Sequence, residues 1–395
     1  MRVIVRILLC VGLCCGVGFT KSPKGQKNQL ELVMVGDALL HKTVYEDAAN
    51  NAKRKSKQAQ DSNETSSIPT FDFYPMLEYV KPLLDGNHLR FYNQETILGG
   101  IGLGLSTYPA FNSPQEFGDE MLSLGFNVVS LANNHTLDKG ERGVLAMLEY
   151  WRAKESKDSK LLTSGSYESL QARENPRIME SNGITYTMLA YTYGTNGIPL
   201  PKGKEYLVNV YTKEMMQRDI AKVRELVDFL IVSIHWGIEY QFTPNAEQKE
   251  LAKFLAQNGV DLVIGNHPHA IQPIDIIDNT LVLYSLGNFI SGQRGLQRQI
   301  GALVGVTVRK KPQSKTTSQD DFANPKKFIP KVQLGNLRAD LIYTHSTQSK
   351  GFKLYPFVLL EKLEHKEKIL PNFTKVKQEY RNILSKNGVK IQFYE

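Results

Sequence analysis

Apolar runs of five to eight residues recur along this chain, and between them lie longer stretches with the spacing of amphipathic helices. That alternation restricts the possible folds more than any other feature. Strands are expected at residues 30–35 ("LELVMV"), 88–93, 126–132, 184–191, 228–235, 261–265 and 280–286. Helices are expected at 75–85, 115–124, 141–154, 213–227 and 246–258. Such alternation argues for α/β layers. Ligands of these sheets gather beyond the carboxyl ends of the strands, so the residues just after each apolar run are the ones to weigh.

Polar residues recur at those ends. Asp37 and His41 follow the first run in "GDALLH", and Asn93 and Glu95 follow the second in "NQET". The third leads into "NNHTLDKG", with Asn133, Asn134, His135 and Asp138. The fifth ends in "HWGIEY", with His235 and Glu239, and the sixth in "GNHPH", with His267 and His269. Five of the eight histidines of the chain fall in these short motifs. Singly, each has a structural alternative: Asp37 as a helix cap, Glu95 as a lysine's partner, His235 as a core histidine, the Asn-rich stretch as a turn. The pair His267 and His269 is harder to explain so, because side chains two apart on an extended segment point the same way. Together these residues indicate a shared oxygen- and nitrogen-rich site able to hold two divalent cations. Glu95 would bridge, with Asp37 and His269 on one ion and Asn134, His235 and His267 on the other. His135 is then left to donate a proton, with Asp138 three residues on to orient its ring.

All three cysteines lie before residue 22, so the remainder has no thiolate, and the donor set suits Mn, Fe or Zn. Those cysteines belong to an N-terminal segment, 1–22, in which Arg2 and Arg6 precede the apolar run 7–19. It is too short for a comfortable bilayer span and resembles the apolar core of a signal peptide. We therefore expect an exported, extracytoplasmic chain, with this segment either a cleaved signal peptide or an anchor in the cytoplasmic membrane. Residues 48–67, polar and without apolar periodicity, read as a mobile surface insertion. A basic, Ser/Thr-rich stretch at 310–330 reads as a link to a C-terminal extension, 311–395. From Thr307 onward Lys and Arg outnumber Asp and Glu by 18 to 8, whereas the rest of the chain carries −2 of the total +8. That asymmetry suits a polyanionic partner or a solvated face. It lacks the regular aromatic interleaving expected of a nucleic-acid binder, so no nucleic-acid partner is expected.

The motifs "VGDALLH", "YNQET", "FNSPQEF", "SLANNHTLDKG", "VSIHWGIEY", "GNHPHAIQPI" and "YSLGNF", in this order over roughly residues 30–310, resemble the bacterial capsule-synthesis family known as CapA or poly-γ-glutamate synthesis proteins. The resemblance implies a four-layer αββα sandwich similar to the calcineurin-like metallophosphoesterases, spanning 28–310. It implies Asp37, Glu95, Asn134, His235, His267 and His269 as metal ligands and His135 as acid. His41 follows Asp37 by four residues rather than the two of the wider phosphoesterase pattern, which moves it towards substrate contact. Glu239 and the two arginines after "YSLGNF", Arg294 and Arg298, are candidates for the same role, since guanidinium forks suit carboxylate or phosphate. Within that motif Gly287 and Asn288 are expected to shape a turn at the rim. The implied partners are an anionic polymer such as poly-γ-glutamate and membrane-bound synthase components. Two functions follow: a metal-dependent hydrolase or transferase, or a non-catalytic scaffold that couples nascent polymer to its synthase.

Overall fold

The computed structural model describes residues 27–62, 70–312 and 328–395. The expected signal segment and most of the 310–330 stretch lie outside the described residues.

Strand β1 (Gln29–Leu39) shows why the chain builds two sheets. Leu30, Leu32 and Met34 enter one apolar core, and Val33 and Val35 enter another on the opposite face. A strand apolar on both faces has to be covered on both. The remaining strands are β2 (Leu89–Gln94), β3 (Val128–Ser130), β4 (Leu162–Ser164), β5 (Met179–Ser181), β6 (Ile184–Thr192), β7 (Phe229–His235) and β8 (Leu262–Asn266). They are followed by β9 (Ile274–Ile277), β10 (Thr280–Leu283), β11 (Asn288–Ser291), β12 (Ile300–Lys310), β13 (Val332–Thr347), β14 (Lys350–Pro356) and β15 (Gln392–Phe393). The larger sheet runs β14-β13-β12-β1-β2-β3-β4, with β11 beside β1 and β15 beside β13; the smaller runs β5-β6-β7-β8-β10-β9.

In β7 of the smaller sheet, Phe229 and Ile231 join Leu30, Leu32 and Met34 in the core between the sheets. Leu230, Val232 and Ile234 face outward, onto the helices Lys213–Val223 and Ala246–Gln257 through Met216, Ile220, Leu251 and Leu255. Outside the larger sheet, the helices Lys42–Ser62, Glu116–Ser123 and Gly140–Glu155 contribute Val44, Phe117, Met121, Val144 and Trp151. The order helices, sheet, sheet, helices is the expected αββα sandwich. Each fully buried aliphatic side chain contributes roughly 1.5–3 kcal/mol, and the central core holds dozens.

Three expectations need correction. The helix expected at 75–85 is two single turns, Tyr74–Leu77 and Lys81–Leu84, each with proline in its first turn. Pro82 has no amide hydrogen to continue the first helix, so the chain restarts there. Of residues 48–67, expected to be a mobile surface insertion, 48–62 continue the helix Lys42–Ser62, which Val44, Tyr45, Ala48 and Ala52 anchor in the core, and 63–67 lie outside the described residues. Ala, Lys, Arg and Gln favour helix even where no apolar stripe guides it. Finally, the residues expected to form an appended extension complete the fold. β13 pairs antiparallel with β12 from Ile300↔Tyr343 to Lys310↔Val332. Phe373, Val376, Tyr380 and Leu384 of the terminal helix Phe373–Leu384 pack into the core between the sheets.

Candidate metal centre

Strand register brings the candidates together. In the larger sheet Asp37 lies opposite both Asn93 of β2 and Asn288 of β11. In the smaller sheet His235 lies opposite Thr192 and Asn266. These positions are the carboxyl ends of parallel strands, where the two sheets meet.

Glu95 occupies the middle. Its Oε1 lies 3.6 Å from His235 Nε2 and 3.5 Å from His269 Nε2. His235 Nε2 in turn lies 2.9 Å from Asn134 Oδ1. On the other side, Asp37 Oδ2 accepts from His267 N at 3.1 Å and lies 3.3 Å from His269 Nδ1. Asn93 Nδ2 donates to Asp37 Oδ1 at 2.8 Å, fixing that carboxylate from behind. Donor atoms of Glu95, His267 and His269 all lie within 4.8 Å of one another. All six expected ligands are buried.

His267 and His269 do not converge as neighbours on an extended strand. β8 stops at Asn266, and both histidines take left-handed backbone angles, φ 97° for His267 and 53° for His269. Such angles are costly for residues with a Cβ and persist where surrounding structure imposes them.

The electrostatics fit a cation. Burial pushes the Glu95 carboxyl well above its usual range, against the pull of His269. Burial, then repulsion from His267 and His269, drives His235 far down, and His267 is pushed down to about 3 by burial and His269. Both imidazoles are therefore neutral, as a metal ligand must be. His269 is raised to about 9: burial opposes its charge, but Glu95 and Asp37 outweigh burial, so a cation bound at Nε2 would take the place of a proton there. Both oxygens of Glu95 and Nδ1 of His267 are buried without a hydrogen-bond partner in the protein. Unpartnered buried donors of this kind, in a nitrogen and oxygen set without thiolate, fit a divalent cation.

The "NNHTLDKG" stretch is both a turn and part of the site. Thr136 Oγ1 donates to Leu131 O at 2.7 Å, and Asn133 ties the loop to Gln94 O at 2.9 Å, so Asn133 has a structural part. His135 Nδ1 lies 2.8 Å from Asp138 Oδ2, which also accepts from Phe111 N at 2.7 Å. The Phe111 ring meets His135 edge-on at 4.7 Å.

The expected substrate contacts lie further out. His41, pushed down to about 4 by burial, has Nδ1 3.2 Å from Leu39 O and 3.3 Å from Gly292 N. Its ring abuts Phe111 at 5.2 Å. Glu239 is half-buried, and its charge acts on both Glu95 and His269. The Arg298 guanidinium covers Tyr240 at 4.9 Å, and that ring lies 6.2 Å from His269. Arg294 instead turns to Ser349, 3.0 Å away.

Several residues join the site that its sequence motifs do not single out as functional. Tyr193 lies 4.8 Å from the His267 ring. Asn196 accepts from Asn134 Nδ2 at 3.1 Å and has its own Nδ2 3.3 Å from His135 Nδ1. Both follow the carboxyl end of β6, the fourth expected strand, where the same rule would have found them. Asn288 Oδ1 lies 2.9 Å from His269 Nδ1, inside the site rather than at its rim.

The family model described as bacterial capsule synthesis protein PGA_cap matches residues 31–293. The PGA biosynthesis protein CapA of Bacillus subtilis (strain 168) is 29% identical over 194 residues, 47% of this chain and 48% of its own length. The capsule biosynthesis protein CapA of Bacillus anthracis is 28% identical over 189 residues, 47% of this chain and 45% of its own. The chain thus spans about half the length of these curated relatives. Among solved structures, a phosphatase from Mycoplasma pneumoniae superposes with a TM-score of 0.41 at 13% identity, over 82% of this chain and 96% of that one.

Proposed function

This chain belongs to the bacterial capsule synthesis protein PGA_cap family, and from that premise we propose that it is an exported, metal-dependent hydrolase or transferase in the assembly of an anionic capsule polymer. The observation that carries the reading is the place of Glu95. It is fully buried, has no hydrogen-bond partner for either oxygen, and lies between imidazole nitrogens at 3.6 and 3.5 Å. A carboxylate so placed would bridge two cations, with Asp37 and His269 on one side and Asn134, His235 and His267 on the other. When bound, such ions supply positive charge to a reacting phosphoryl or amide centre and to the water that attacks it.

The chain's own groups do the rest. Asp138 holds His135 through Nδ1, leaving Nε2 to give a proton to a leaving group. Phe111 walls one side of that imidazole and limits the approach of water. Asp37, braced by Asn93 and the His267 amide, keeps its carboxylate aimed without a mobile side chain. Poly-γ-glutamate or a related polymer as substrate, and membrane synthase components as partners, are extensions supported by what the relatives are named for.

His135→Ala and Asp138→Asn test the reading on a panel of phosphoesters and γ-glutamyl amides. We expect turnover to fall by about 100-fold or more with metal content unchanged. Turnover left intact in both variants would remove the catalytic assignment.

A further inference from the structure

We infer that Asn288 is a positioning residue, which holds His269 with a proton on Nδ1 and so turns the His269 Nε2 lone pair towards Glu95 for metal binding. The argument starts from a backbone carbonyl. Arg298 O can only accept, and Asn288 Nδ2 lies 2.8 Å from it; the same nitrogen lies 2.9 Å from Gln293 Oε1. The Asn288 amide therefore has one orientation, with Oδ1 facing His269. That oxygen, 2.9 Å from His269 Nδ1, can only accept, so Nδ1 carries the hydrogen. Asp37 Oδ2, 3.3 Å from the same nitrogen, is a second acceptor for it. Nε2 is then the ligating nitrogen, and it is the one that lies 3.5 Å from Glu95 Oε1. An acceptor on the far nitrogen of a ligating histidine fixes the ring and raises its basicity.

Asn288 is well built for the task. It begins β11, in register with Asp37, and is 1% exposed. A Cβ on Gly301 would lie 2.0 Å from Asn288 O, so the neighbouring strand is pressed against this backbone. The "YSLGNF" motif thus places an acceptor behind a metal ligand, beyond shaping a turn.

The inference rests on the metal reading of Glu95 and His269, and the test separates the two. Zinc affinity is titrated for the wild-type protein, Asn288→Leu and Asn288→Asp, beside thermal melting of the metal-free proteins. Asn288→Leu, which keeps the volume but offers no acceptor, is expected to weaken binding by about 10- to 100-fold. Asn288→Asp keeps an acceptor for Nδ1 while setting a carboxylate against Arg298 O, so it is expected to melt lower yet bind zinc within about threefold of wild type. In the cadmium-loaded wild-type protein, NMR coupling between ion and imidazole is expected at Nε2 of His269, identified by its loss in His269→Gln. Equal weakening in both Asn288 variants, or coupling at Nδ1, would overturn the inference and leave the metal reading standing. A wild-type protein that binds no metal would overturn both.

Discussion

Gly36 and Gly287 touch where β1 changes partner from β12 to β11: Asp37 N donates to Gly287 O at 2.9 Å, and a Cβ on Gly36 would lie 1.8 Å from that oxygen. Only glycine allows this approach, and the approach sets the height of Asp37 over the site. Gly36→Ala is expected to cost about 3 kcal/mol or more in stability, by urea unfolding, because the clash is with backbone that cannot rotate away. Wild-type stability in that variant would contradict the contact.

Arg224 holds the opposite end of the smaller sheet. Its guanidinium is buried and donates to Asp261 Oδ2 at 2.6 Å and to the carbonyls of Gly259, Val227 and Asp228 at 2.8, 2.9 and 3.0 Å. Asp228 and Asp261 each precede a strand, β7 and β8, whose far end carries His235 or leads to His267. Arg224→Met is expected to destabilise by about 3–5 kcal/mol, since it leaves Asp261 buried without its cation. Bound metal per folded chain should stay at the wild-type value, because the pair braces the sheet away from the site. Metal loss in folded variant would contradict that separation.

Asp340 should make stability fall with rising pH. Burial pushes its carboxyl up to about 7, although the Val358 and Leu341 amides and the charges of Arg381 and Lys377 pull it down. An unfolded aspartate titrates near about 4, so between about pH 4 and 7 the folded chain keeps a proton the unfolded chain has released. The contribution is fully present below the unfolded value and is lost as pH rises through about 7. Asp340→Asn abolishes the titration, so its stability relative to wild type is expected to rise from pH 5 to pH 8, by at most about 3 kcal/mol, since only the part of the window between about pH 5 and 7 falls in that range. Parallel curves for the two proteins would refute the shift.

The fold is legible in the chain wherever a strand is buried on both faces. Runs such as "LELVMV" and "DFLIVSIH" stand out because two cores demand apolar residues at successive positions. β13 is harder to see: its burial changes from mixed to continuous along its length, following its partners rather than any local period. Its pairing with β12 also spans a polar stretch with the composition of a linker. The candidate site is legible through His235, His267, His269, Glu95 and Asp37, since buried residues of those types at strand ends need a chemical reason. Asn196 and Asn288 are not. An amide beside a glycine has the look of a turn former, and only the folded partner distinguishes an Asn that bends the chain from one that aims a ligand.

The most direct measurement is metal content. The chain from residue 23 to 395, purified without chelator and incubated with Mn, Fe or Zn, is assayed by mass spectrometry beside Glu95→Ala and His235→Ala. We expect about two ions per wild-type chain and loss of both in Glu95→Ala, because that carboxylate serves each side, with at least one lost in His235→Ala. No bound metal in the wild-type protein, or undiminished metal in Glu95→Ala, would contradict a shared centre built on Glu95.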